Sequence, residues 1–272
     1  MRRFAFVATG AVLATLPIVA GVRIQLESTD LATNKSTTQT ISMDNSRMRV
    51  DADANTSMMF LTDGGRNRMV VLDRAKNEYR EIDEQTMTQM AQQMSGAMAQ
   101  LEAQMKNMPP EQRAMMEKMM KGKMPQAGAP APKTVYTAKG SGTVNAFSCT
   151  KYEGVRAGEK VSEICAASPS QIKVSPGDYQ VFEKMKQFTA GLQDALRNSP
   201  LASSVQSFGV TDSGVQGFPV QTVTFRGGMA TNKVELKSVT NVGFTDADFS
   251  LGSAKKQEMP GMPGAAAKGK QR

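Results

Sequence analysis

From Val22 onward the chain alternates with a period of two: Val22, Ile24 and Leu26 fall on one side, Arg23, Gln25 and Glu27 on the other. That periodicity suits a half-buried strand and not an amphipathic helix. Similar segments follow at residues 36–43, 47–52, 57–62, 68–73 and 77–82. Each is separated from the next by a turn signal: Asp44-Asn45, Asp53-Ala54-Asn55, Asp63-Gly64-Gly65-Arg66-Asn67 and Arg74-Ala75-Lys76. The pattern predicts an antiparallel meander with one apolar face, and such a face needs a cover.

A cover of unusual composition comes next. Eleven of the 21 methionines lie between Thr86 and Met124. Met87, Met90, Met94, Met98, Leu101, Met105 and Met108 recur every three or four residues, which draws a thioether stripe along one side of a helix. Pro109-Pro110 breaks it, and Met115, Met116, Met119 and Met120 continue at helical spacing. The expected insertion is therefore helix, corner, shorter helix over 84–124, with a Pro/Ala-rich mobile connector over 125–133.

Strands resume at residues 134–139 and 143–147, followed by a hairpin of 148–155 and 159–167 that carries Cys149 and Cys165. These are the only two cysteines, and the chain has no histidine. A structural disulfide is expected, because a redox pair would sit closer in sequence and a metal site would want further ligands. Ser175-Pro176-Gly177-Asp178 reads as a helix start, with Val181, Phe182, Met185, Phe188, Leu192 and Leu196 as the apolar face. Segments 218–226 and 231–240 flank the hairpin signal Gly227-Gly228, and 244–251 is expected to add a last strand.

The two ends differ from this middle. Arg2-Arg3, an apolar run and Val19-Ala20-Gly21 have the layout of a secretory signal peptide over 1–21, with cleavage before Val22 and a periplasmic product. Residues 253–272 read as a disordered basic tail able to touch an anionic membrane surface weakly. The formal net charge of +8 sits largely at these ends, and no basic stripe interleaved with aromatics suggests nucleic acid. With no histidine a Ser-His-Asp triad is excluded, and no pair of carboxylates is marked out as acid and base. The expectation is a non-enzyme without cofactor or His/Cys metal site.

The stretches "RMRVDADANTSMMFLTDGGRNRMVVLDRAKNEYREID" and "DADFSLGSAKKQEM", set around the methionine-rich helices and the cysteine hairpin, resemble a bacterial envelope family known as domain of unknown function 4412. That family is similar in outline to the lipoprotein carriers LolA and LolB. The resemblance implies one α+β domain over 22–252: a curved antiparallel sheet forming an unclosed half-barrel, with helices covering its concave face and a hydrophobic cavity between.

Three functions fit the methionine stripe. The first is a carrier for a hydrophobic small molecule, lipid or acyl chain, its pocket lined by Met87, Met90, Met94, Met98, Leu101, Met105, Met108, Met115 and Met119. The second is a Cu(I)-binding or metal-stress protein, since thioethers are soft ligands. The third is a structural envelope module in which the stripe only packs a helix on a sheet.

Overall fold

The computed structural model describes residues 18–86, 132–196 and 214–258, with isolated positions between 88 and 112; for 192–196 the backbone alone is described. Twelve strands form one sheet: β1 (Val19–Asp30), β2 (Lys35–Met43), β3 (Arg47–Asp51), β4 (Thr56–Asp63), β5 (Arg66–Asp73), β6 (Glu78–Asp83), β7 (Val135–Val144), β8 (Phe147–Arg156), β9 (Glu159–Ala167), β10 (Phe218–Arg226), β11 (Met229–Phe244) and β12 (Lys255–Lys256). Their order is β12-β6-β5-β4-β3-β2-β1-β11-β10-β9-β8-β7. The sheet is open, because the edge strands β12 and β7 do not meet. It is mixed only at one end, where β12 pairs parallel with β6.

Strands β2–β6 follow the predicted segments within a residue or two, because alternation and turn chemistry act locally, whereas β1 starts three residues before Val22. Gly64-Gly65, Ala157-Gly158 and Gly227-Gly228 have positive φ at both turn positions, as a two-residue hairpin with a right-handed strand twist requires. Two expectations change. The expected strands over 134–139 and 143–147 merge into one, β7, bent by an irregularity at Gly140 (φ 105°), while residues 145 and 146 form the turn and Phe147 opens β8. The expected last strand over 244–251 is instead a 3-10 helix, Asp246–Phe249, opened by a capping box between Thr245 and Asp248.

The long described helix, α1 (Pro176–Leu196), begins where its sequence says: the Asp178 amide donates to Ser175 Oγ at 3.1 Å, and that hydroxyl donates to the Asp178 carboxylate at 2.7 Å. It lies on one face of the sheet. Phe188 packs on Phe60 of β4 with ring centroids 5.6 Å apart, and Phe182 on Phe218 of β10 at 5.2 Å. A helix from the second half of the chain therefore covers both halves of the sheet. The expectation of several helices over a concave face is corrected to this: among the described residues, one long α-helix, α1, lies on one face and one short 3-10 helix on the other, while the helical residues 84–86 only open the methionine-rich stretch. The physical reason is that the two helices bury different faces: α1 carries Phe182, Met185 and Phe188 onto one side of the sheet, and the 3-10 helix carries Phe249 onto the other.

Two cores result. The larger joins α1 to Val22, Ile24, Met43, Met48, Phe60, Met69, Phe218 and Leu236 on one face. The smaller lies on the other face, where Phe244, Phe249, Met59, Leu61, Val70 and Leu72 pack beneath the 3-10 helix. Strands β4 and β5 are thus buried on both faces, which explains the continuous apolar runs of Met58–Leu61 and Met69–Leu72.

Both termini of the described chain differ from a simple reading. β1 starts at Val19, so Val19, Ala20 and Gly21, ahead of the expected cleavage point, pair with Phe244, Gly243 and Val242. Residues 253–258, the beginning of the expected tail, run along β6, with the amides of Lys255 and Gln257 donating to Asn77 and Tyr79 carbonyls at 2.9 and 2.8 Å. Residues 1–17 of the expected signal peptide and 259–272 of the tail lie outside the described residues. Among the described residues no helix is long and apolar enough to cross a membrane.

Candidate functional site

The register of the meander lines up a row of side chains across six strands. Val22 pairs with Met43, Met43 with Met48, Met48 with Phe60, Phe60 with Met69, and Met69 with Ile82. Cross-strand partners point to the same face, so these six residues form one apolar line beneath α1. Met43, Met48, Phe60 and Met69 are closed to solvent, while Met58, Val50, Leu26 and Ile82 form a half-buried fringe beside them. From α1, Met185, Phe182 and Phe188 face the row. The result is a methionine- and phenylalanine-lined seam between helix and sheet. Sequence reasoning missed it, since Met43, Met48 and Met69 stand on different strands and only the pairing register brings them together.

The row ends where the methionine-rich stretch begins. Ile82 is followed by Asp83, whose carboxylate accepts the Thr86 amide at 2.7 Å and caps the helical residues 84–86. The hydrogen bonds from Thr86 hold the Asp83 carboxyl below the usual carboxylate range. The predicted pocket residues Met87, Met90, Met94, Met98, Leu101, Met105, Met108, Met115 and Met119 lie outside the described residues. The described positions interleaved with them, such as Gln92, Gly96 and Gln100, are helical and exposed.

Cys149 and Cys165 are joined in a disulfide, as predicted, with their Cα atoms 5.4 Å apart. Lys151 is the register partner of Cys165, so the bridge runs diagonally between β8 and β9 on the face that carries α1. Tyr179 at the start of α1 buries its phenolic oxygen, and burial, with the Glu183 carboxylate adding to it, pushes its pKa up.

The opposite face carries a polar cleft of about 360 Å³ lined by Arg23, Thr40, Ser42, Arg49, Asp51 and Asp248. Its charges are largely compensated from within. Asp51 accepts hydrogen bonds from Arg49 Nε at 2.9 Å, from the Arg74 guanidinium at 2.7 Å and from the buried Ser57 hydroxyl. Arg49 also donates to the Asp248 carbonyl at 2.7 Å. Hydrogen bonds from Thr245, with help from Arg23 and Arg49, keep the Asp248 carboxyl below its ordinary range. These arginines fasten the 3-10 helix to the sheet, and that structural task accounts for the cleft. Among the described residues no cluster of three or more His, Cys, Asp or Glu side chains could hold a metal ion.

No family model matches the chain, and no curated protein does. Among solved structures, one described as "Structure of PNGF-II in C2 space group" aligns with a TM-score of 0.40 and 10% sequence identity, covering 89% of this chain and 31% of that one. The chain thus spans about a third of that protein's length, and likeness at this level carries no argument about fold or activity.

Proposed function

We propose that this chain is an exported, non-catalytic binding protein for a hydrophobic ligand, a lipid or acyl chain, held between the sheet and its helices in the manner of an unclosed, LolA-like half-barrel. The observation that carries the reading is the seam of Met43, Met48, Phe60 and Met69 under the aromatic face of α1, which runs out at Ile82 beside the methionine-rich stretch. Thioether side chains re-pack at low cost around differently shaped apolar groups, so a seam closed without ligand opens by rotamer changes rather than by unfolding. The disulfide supports an oxidising compartment such as the periplasm.

The test is native mass spectrometry of gently purified protein together with titration of a fluorescent fatty-acid analogue. The expected result is a co-purifying lipid mass, or saturable uptake of the probe that co-purified lipid displaces. Met48→Leu, which conserves volume but stiffens the seam, is expected to leave the melting temperature within a few degrees and weaken the probe by about threefold to tenfold. Absence of both lipid mass and probe uptake overturns the reading.

A further inference from the structure

Three hairpin tips and the start of the edge strand meet at one end of the sheet. The β1–β2 and β10–β11 tips touch, the Leu31 amide donating to the Thr231 carbonyl at 3.0 Å. The β8–β9 tip stands beside them, because Thr224 pairs with Ser162 and Lys160 lies 4.3 Å from the ring centroid of Phe225. Val135 opens β7 opposite Val155, so it belongs to the same end.

This rim exposes what the rest of the fold hides. Met229 is 72% exposed and Val135 65% exposed, two of the three large hydrophobic side chains so placed among the described residues. Met229 stands directly after Gly227-Gly228, at the tip of a tight two-residue turn where it stabilises nothing in the core. Phe225 and Leu31 lie half-buried behind it. Around these apolar side chains stand Lys35, Lys133, Arg156, Lys160 and Arg226, against Asp30, Glu159 and Glu163, the last of which pairs with Lys160. The Asp30 carboxylate is drawn back into its own turn by the amides of Ala32 and Thr33 at 3.0 and 2.7 Å. The other end of β11 leads instead into Asp246 and Asp248.

We propose that this rim docks the protein on an anionic lipid surface, with Met229 and Val135 entering the headgroup region and Arg226 and Lys35 beside them meeting lipid phosphates. Short apolar side chains on rigid turns insert without ordering the loop, and each lysine or arginine near an anionic surface adds attraction that salt weakens. The complement is a membrane rather than a protein, since the apolar side chains stand singly at separate tips and form no groove. The inference is independent of the bound-ligand reading, because adsorption to vesicles is measured whether or not a ligand is carried.

The test is sedimentation of the full chain with vesicles rich in phosphatidylglycerol and with vesicles of phosphatidylcholine alone. The chain contains no tryptophan, so Met229→Trp gives a single reporter at the tip. Binding to the anionic vesicles only, with a blue shift of this tryptophan, is the expected result. Arg226→Glu is expected to weaken partitioning about tenfold and Met229→Ser by several-fold. Both variants should melt at the parent temperature, because both side chains are exposed. Three results overturn the proposal: no sedimentation; equal binding to both vesicle types; or binding with unshifted tryptophan emission and no response to Arg226→Glu, which would assign adsorption to Lys268, Lys270 and Arg272 in the tail.

Discussion

Arg47 ties together two parts of the chain 199 residues apart. Its guanidinium donates to the wholly buried Asp44 carboxylate at 2.7 and 2.8 Å and to Asp246 at 2.7 Å, and it lies 4.5 Å from the Phe249 ring centroid. Asp44 also receives the amides of Ser46 and Arg47, at 2.9 and 2.8 Å, so its charge is compensated only while the β2–β3 turn is formed. Removing one partner of a buried pair strands the other. Arg47→Met is therefore expected to cost about 3 kcal/mol, read as a shift of the urea midpoint, with Arg47→Lys recovering part of it. No pattern in the sequence announces this residue. Its role depends on a 3-10 helix whose sequence, with Phe244, Phe249 and Leu251, reads equally well as a strand.

At the scale of elements, the disulfide hairpin and the open edge belong together. β8 lies between β9 and β7, the edge strand among the described residues, and an edge strand is a site for unwanted pairing. That edge is blunted by the irregularity at Gly140 and by Lys139, which pairs with Glu153 at 2.9 Å. The Cys149–Cys165 bridge closes a separation of 16 residues and is expected to contribute about 3 kcal/mol through the unfolded chain. Melting followed with and without a phosphine reductant should show a drop of several degrees, and a drop confined to the reduced sample assigns it to the bridge. Hairpins of this kind are legible in sequence, because the turns Ala157-Gly158 and Gly227-Gly228 and the cap Ser175–Asp178 are local chemistry. The neighbours of a strand are not. Nothing in Val22–Glu27 tells that β1 lies between β2 and β11, and the methionine row on the meander is invisible until register is known. The stripe that was legible, Met87 to Met119, lies outside the described residues.

Across the whole molecule, the seam between the two halves of the sheet is β1 paired with β11, from Val19 opposite Phe244 to Asp30 opposite Asn232. The helix that covers β3 and β4 also belongs to the later half, as does β12, which lines the far edge. A chain delivered from its N-terminus leaves β1–β6 without α1 on their apolar face until residues 176–196 arrive, without β11 on the β1 edge until residues near 230, and without β12 on the β6 edge until residue 255. Fragment 18–83 alone is therefore expected to lack a cooperative melt by circular dichroism; a sharp transition in that fragment would contradict this account. Order of arrival then becomes a hazard of manufacture. The chain must be held from premature strand pairing for most of its synthesis, so its yield in a cell is set less by how stable the finished sheet is than by how long the first half waits for the last.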